Sequence, residues 1–96
     1  MKSAQFLAPA RAEFLAEVAY YNTRRAHCGA QFAAAVEEAV ARAVAFPESG
    51  SPLVAGTRRV YTKGFPFSIV YRSEPEAIVV VAVAHQARGP GYWQGR

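Results

Sequence analysis

The sequence predicts an α+β fold in which a helix hairpin packs on one face of a mainly antiparallel sheet, in the order β-α-α-β-β-β. Three observations predict it. Two stretches of the first half carry apolar residues at helical spacing, a segment dense in proline, glycine and serine follows, and beyond it apolar residues alternate with a period of two. A chain of 96 residues is expected to form one domain, 1–96, because so short a chain needs nearly every element for one core.

Two helices are predicted over 10–26 and 31–46, with Gly29 marking the turn between them. A brief strand at 4–7 precedes the first helix. The outward face of that helix is expected to carry charged residues, Glu13 among them. The apolar stripes are Ala10, Phe14, Val18 and Tyr21, then Phe32, Val36, Val40 and Val44. Both helices are rich in alanine and leave few large side chains to bury, which favours a shallow groove filled by another chain.

Three strands are predicted over 58–63, 67–72 and 78–84, after a loop at 47–52. Their connections are short enough for hairpins, so the strands should form an antiparallel meander. The last strand is apolar on both faces and is expected away from an edge, beside the N-terminal strand or under the tail. The tail itself is turn-rich and aromatic, which favours a lid over the sheet built by Tyr92 and Trp93.

The composition excludes several classes of function. Apolar residues make up 52% of the chain, which can fill a core, but the longest apolar run, 77–84, is too short to cross a membrane as a helix. The N-terminus has no apolar run typical of a signal peptide, and the lone Cys28 can form neither an internal disulfide nor a zinc site. We therefore expect a cytoplasmic protein without a membrane partner.

The charge is concentrated in the last part of the chain. Residues 1–57 carry equal numbers of basic and acidic side chains, so residues 58–96 supply the whole net charge of +4. This asymmetry favours an acidic or polyanionic partner on that side of the fold. Aspartate is absent and no pair of histidines has helical spacing, so we expect no metal and no cofactor.

The residues that could carry chemistry lie in the last third of the chain. Cleavage of RNA without a metal needs an acid, a base and cations for the phosphate, and His85, Tyr92 and the arginines could fill these roles. His85 ends a strand, where a structural role bonded to the backbone is the alternative. Arg58 and Arg59 point to opposite faces of their strand, so only one of them can serve any single site. The candidate set is Arg58, Arg59, Arg72, His85, Arg88, Tyr92 and Trp93.

An ordered set of short motifs resembles the RelE/ParE toxin superfamily, and within it the ParE branch. The resemblance covers nearly the whole chain in order. It is carried by Gly56-Thr57-Arg58-Arg59, Phe65-Pro66-Phe67-Ser68-Ile69-Val70-Tyr71, Ala82-Val83-Ala84-His85, Arg88 and Pro90-Gly91-Tyr92-Trp93, with echoes at Glu17, Tyr20-Tyr21, Phe32, Val36-Glu37 and Pro47.

The resemblance implies a toxin of a type II toxin–antitoxin system, silenced by a ParD-like antitoxin through which the complex binds operator DNA. ParE-type toxins inhibit DNA gyrase without catalysis, and the implied target-binding residues are Arg58, Arg59, Arg88, Tyr92 and Trp93. RelE-type relatives are ribosome-dependent endoribonucleases, and that alternative would use His85, Tyr92, Arg58, Arg72 and Arg88 as catalytic residues. The chain has only two lysines, unlike the lysine-rich face of the nucleases.

Two further expectations concern partners. The antitoxin is predicted to bind the outer surface of helices 10–26 and 31–46 and the exposed edge of the sheet, because both leave groups unsatisfied in a lone monomer. The third functional hypothesis is an interaction domain without toxicity, and the sequence alone leaves it open.

Overall fold

The fold is described from a computed structural model that covers residues 2–89 and 91–96. Pro90, part of the resemblance in the tail, lies outside the described residues. The elements are β1 (Ser3–Phe6), α1 (Ala8–Arg24), α2 (Cys28–Ala45), β2 (Ser51–Pro52), a 3-10 turn (Val54–Gly56), β3 (Arg58–Tyr61), β4 (Phe67–Ser73) and β5 (Ala77–His85). The predicted α+β fold is confirmed. The prediction of loop throughout 47–52 is wrong for β2, which pairs only two residues at the edge of the sheet.

The five strands form one sheet in the order β1-β5-β4-β3-β2. β1 runs parallel to β5, and the other neighbours are antiparallel. β5 therefore lies beside the N-terminal strand, as its apolar faces predicted, and all its residues before His85 are buried. The register between β4 and β5 shifts at Val81, which has no partner residue on β4. This bulge matters for the site, because it turns an extra carbonyl toward the β1 side of the sheet.

The two helices pack against each other and begin slightly earlier than predicted. The prediction that Gly29 marks the turn is wrong, because Gly29 lies in the first turn of α2. Its backbone N–H donates to the Asn22 Oδ1 at 3.0 Å, and an added Cβ there would collide with the Asn22 side chain. The chain instead reverses at His27, which takes a left-handed conformation with a φ of 67°.

Two clusters of buried side chains lie on opposite faces of the sheet. The helix-side cluster joins both helices to the sheet and includes Phe32, Val36, Phe67, Ile69 and Tyr71. The tail-side cluster consists of Val70, Val81, Ala82, Ala84 and Trp93, with Leu7, Leu53 and Tyr92 packed against it. The C-terminal tail thus covers the face of the sheet that the helices leave open. Within the described residues, no helix has the length and apolar character needed to cross a membrane.

Candidate functional site

The tail after β5 reaches both faces of the molecule. Trp93 is only 7% exposed and packs into the tail-side cluster, which confirms for this residue the predicted lid over the sheet. Tyr92 packs against the same cluster, but its hydroxyl reaches α1 and donates to the Glu13 Oε2 at 2.8 Å. The two neighbouring aromatic rings meet edge to face, with centroids 5.3 Å apart. One tail segment is therefore held by an apolar contact on the sheet and a polar contact on the helix.

Glu13 is the centre of a network that joins the tail to α1. Arg96 binds its carboxylate through two nitrogens, with Nη1 at 3.0 Å from Oε1 and Nη2 at 3.2 Å from Oε2. The Arg88 guanidinium lies 3.6 Å from Oε2 and stacks over the Tyr92 ring, 3.7 Å from its centroid. The Glu13 side chain is only 17% exposed, so the prediction that it faces outward is wrong. Arg88 and Arg96 of the tail compensate its charge. Helical periodicity alone does not predict that these tail residues reach α1.

The same network closes the edge of β5 where β1 ends. The last bond between these segments runs from the Leu7 N–H to the Val80 carbonyl, at 3.0 Å. Beyond it, the Val83 N–H donates to the Glu13 Oε1 at 3.1 Å, and the Arg96 Nη1 donates to the Val81 carbonyl at 3.1 Å. Two side chains thus satisfy the bulged backbone that a longer β1 would have paired, as buried backbone groups require.

The environment of Tyr92 changes its acidity. Burial, followed by the hydrogen bond to the Glu13 carboxylate, raises the pKa of Tyr92 to about 12. The neighbouring Arg88 and Arg96 oppose this shift without cancelling it. The hydroxyl therefore stays neutral at physiological pH and acts as a hydrogen-bond donor within the tail.

A groove on the tail side of the sheet brings four of the predicted site residues together. This tail groove has a volume of about 450 Å³, and no carboxylate is among the described residues that line it. Arg59 and Trp93 each contribute a buried N–H, Nε and Nε1, with no partner in the described part of the chain. Arg88 is 57% exposed at the groove. The lining includes Arg59, His85, Arg88 and Trp93, together with Ser68, Gln86, Gln94 and apolar side chains.

Arg58 and Arg72 are not part of this groove. The Arg58 Nη1 donates to the carbonyls of Glu48 and Gly50, at 3.1 and 2.8 Å, and so holds the loop after α2. Arg72 donates to the Arg96 carbonyl at 3.3 Å and pairs with Glu74 at 3.6 Å. The structure thus separates Arg58 from Arg59, as the alternation of their strand predicted. Both Arg58 and Arg72 support backbone segments.

His85 is an exposed residue at the end of β5. Its Nδ1 accepts a hydrogen bond from the Ala87 N–H at 3.0 Å, and its ring lies edge to face against Phe67, 5.1 Å away. These contacts match the structural alternative, a histidine bonded to the backbone. His85 also lines a second groove, at the helix turn, with Glu17, Arg24 and Arg25. His85 therefore belongs to the lining of two grooves that both carry arginines.

A third groove, the helix groove, lies between β1 and the two helices. It has a volume of about 610 Å³. Its floor is apolar, and Lys2, Arg11 and Glu37 are the charged residues that line it. The apolar lining comprises Ala4, Phe6, Phe14, Val36, Val40, Ala41, Val44 and Ala45. This concavity is where alanine-rich helices and an edge strand leave apolar surface uncovered, as the composition of the helices led us to expect.

Sequence reasoning missed Glu13 and Arg96. One signal was available for Glu13, because it follows Ala10 by three positions and so lies beside the apolar stripe of α1 rather than opposite it. No comparable signal marks Arg96, whose position depends on where the tail returns. Among the described residues, no group of three or more His, Cys, Asp or Glu side chains could hold a metal ion.

Comparison with known proteins gives a family and a fold. A family model described as the ParE toxin of type II toxin–antitoxin system, parDE, matches residues 5–90. Among solved structures, a chain of the "Chromosomal ParDE TA system from P. aeruginosa" is similar, with a TM-score of 0.77 and 22% sequence identity. The alignment covers 88% of this chain and 96% of that one. The curated proteins contain no match to this chain.

Proposed function

This chain belongs to the ParE toxin family of type II toxin–antitoxin systems, and we propose that it inhibits DNA gyrase by binding and is neutralised by a ParD-like antitoxin. The observation that carries the proposal is the tail groove, where Arg59, Arg88 and Trp93 of the predicted target-binding set come together without a carboxylate in the described lining. Such a surface favours an acidic partner. Tyr92 contributes by stacking under Arg88, whereas Arg58 acts through the loop that it holds.

The arrangement of the candidate catalytic residues supports binding over RNA cleavage. Arg58 and Arg72 donate to backbone carbonyls that lie outside the tail groove. Neither guanidinium is therefore directed at a phosphate beside His85. A general acid works best with a pKa near the working pH, and the pKa of Tyr92 is about 12. The ribosome-dependent endoribonuclease therefore stays the second candidate, favoured only by the closeness of His85 and Arg88 in one groove.

A supercoiling assay with purified toxin and gyrase tests the target. We expect wild-type toxin to inhibit, and Arg59→Ala and Arg88→Ala to weaken inhibition about tenfold each, since each removes a cation from a groove whose described lining has no carboxylate. Lys63→Ala is the matched control, because Lys63 is 76% exposed and lies near Glu38 on the helix side. Wild-type toxin without effect on gyrase at any ratio would contradict the proposal. Cleaved messenger in a translating extract, lost on His85→Ala, would favour the nuclease.

For the antitoxin, we propose the helix groove and the open edge of β1 as the binding surface. An apolar floor between two helices fits the apolar face of an amphipathic segment, and an unpaired strand edge can accept one more strand. The predicted outer surface of helices 10–26 and 31–46 is thereby narrowed to the part that faces β1.

Single charges placed on α2 test this surface. Ala41→Glu puts a carboxylate on the apolar floor of the helix groove and is expected to weaken antitoxin binding about tenfold, because docking an apolar segment there would strip water from that charge. Ala34→Glu is the control, on the same exposed side of α2 but outside the groove lining. Titration calorimetry with the antitoxin gives both affinities. Equal affinity of wild type and Ala41→Glu would exclude the helix groove.

A further inference from the structure

Glu13 receives contacts from three separate parts of the chain. The β5 backbone reaches it through the Val83 N–H, the middle of the tail through the Tyr92 hydroxyl, and the C-terminus through Arg96. These partners are 70 to 83 residues away in sequence. Glu13 does not line the tail groove, so a function for it has to act through the residues that it holds.

We propose that Glu13 is a positioning residue, whose carboxylate fixes the tail on the fold and thereby sets Arg88 and Trp93 at the tail groove. The inference rests on the proposed function, because it treats the tail as part of the surface that meets gyrase. In this proposal two groups of residues have different roles. The residues of the groove contact the target, and Glu13, on the opposite layer of the molecule, determines where they stand.

The geometry of the Arg96 pair makes this contact strong. Two nitrogens of one guanidinium meet two oxygens of one carboxylate, at 3.0 and 3.2 Å, an arrangement that fixes direction as well as distance. The side chains of Glu13 and Arg96 are 17% and 20% exposed, so water screens the pair only in part. Loss of either partner would leave the other charge poorly solvated. The tail would then have to move or admit water.

Besides Glu13, the described tail is held by the packing of Trp93 and by the hydrogen bond from Arg72 to the Arg96 carbonyl. In its described part the chain forms turns rather than a helix or strand, and Trp93 is its one fully packed aromatic residue. Gly91 and Gly95 both have positive φ angles, 82° and 88°, and glycine gives the backbone on either side of Trp93 many alternatives. A segment of this kind keeps one conformation only where side chains pin it, and Glu13 supplies the pins on both sides of Trp93.

The contact also protects the sheet. Arg96 covers the bulged Val81 carbonyl and Glu13 covers the Val83 N–H, which are open to pairing beyond the end of β1. When the Glu13–Arg96 pair is broken, we expect the Val81 carbonyl to become accessible together with the tail.

The test uses Trp93, the only tryptophan, as a reporter of the tail in the isolated toxin. Glu13→Gln keeps the size of the side chain and an acceptor for Val83 but removes the charge that holds Arg96. We expect its Trp93 emission to shift to longer wavelength and become easier to quench with acrylamide, and its affinity for gyrase to fall about tenfold. Glu17→Gln is the matched control, one turn further along α1, where the glutamate makes no ion pair with the described tail residues. It should leave both readouts unchanged.

A double variant separates positioning from general damage. If Glu13 acts through Arg96, Glu13→Gln with Arg96→Gln should shift the Trp93 emission no further than the larger single change, because contacting residues are not additive. Additive shifts would overturn the assignment. If Glu13→Gln loses its far-UV circular dichroism, Arg96→Gln carries the same test from the other partner. Restored emission in Glu13→Asp would support the role of the charge.

The outcomes distinguish this inference from the proposed function. Unchanged Trp93 emission in Glu13→Gln would overturn the positioning role, whatever the toxin does to gyrase. Shifted emission with unchanged gyrase affinity would overturn it too, because the tail would then be anchored without consequence for the target. Wild-type toxin that fails to act on gyrase would instead contradict the proposed function. The emission measurement needs no gyrase and still tests the contact.

Discussion

The two faces of the sheet are covered in different ways. On the helix side, the rings of Tyr21, Phe32, Phe65 and Phe67 form a continuous aromatic group, with centroids 5.0 to 6.3 Å apart. On the tail side, Trp93 packs on aliphatic side chains and meets the ring of Tyr92, and polar contacts to Glu13 hold the segment that carries both. The helix-side cluster should therefore contribute most of the folding stability, whereas the tail-side contacts should mainly determine the position of the tail.

The largest effect is expected from Phe32→Ala, in the helix-side cluster. Phe32 is fully buried and meets three other rings of the group, so its loss leaves a cavity that costs about 3–5 kcal/mol of unfolding free energy. Urea denaturation followed by circular dichroism measures it. Leu15→Ala is the control, an exposed apolar residue of α1 for which we expect a change within about 0.5 kcal/mol.

The difference between the two faces would be contradicted if a substitution in the tail lowered the unfolding free energy as much as Phe32→Ala. Arg96→Gln removes the main polar anchor of the tail and should shift the Trp93 emission while lowering stability by less than Phe32→Ala. Phe32→Ala, measured well below its unfolding midpoint, should leave that emission near the wild-type value. An equal loss of stability from both variants would mean that the two layers form one cooperative unit.

A middle effect is expected from Tyr71→Phe, a polar contact within the helix-side cluster. The Tyr71 hydroxyl donates to the Pro47 carbonyl at 2.8 Å and accepts from the Gly50 N–H at 3.2 Å. Its removal leaves both backbone groups unpaired near a buried glycine, which costs about 1–3 kcal/mol. Chemical denaturation against Tyr61→Phe, whose ring is exposed, gives the difference. Equal stability of the two variants would mean that water replaces the hydroxyl.

The sequence predicted the helix-side layer well because its signals are local. Apolar spacing placed Phe32 and Val36 on one stripe of a helix, and alternation placed Arg58 and Arg59 on opposite faces of a strand. Both patterns need only neighbouring residues. β2 and the left-handed turn at His27 were missed, since short pairings and single turn residues leave no periodic trace.

The site was predicted only in part, for a related reason. Arg59, His85, Arg88 and Trp93 all belong to the candidate set named from the sequence, and the structure places them along one groove. The carboxylate that holds the tail was not found, because its contacts join residues 79 and 83 positions apart. Contacts at such separation depend on the final packing of the tail, which no local pattern encodes.

The smallest effect is a pH dependence from Tyr92, on the tail side. Its pKa is raised to about 12 in the folded protein, against about 10 in an unfolded chain, so the neutral hydroxyl is the form that the fold stabilises. The contribution of Tyr92 is therefore fully present below pH ~10 and is lost as the pH rises through the folded pKa of about 12. Glu13, Arg88 and Arg96 face this hydroxyl, and burial contributes most to the shift.

We expect the stability of wild type to fall more steeply than that of Tyr92→Phe over this window, because all other titrating groups are common to both. Thermal unfolding at stepped pH measures the difference, and parallel curves would mean that folding does not raise the pKa of Tyr92.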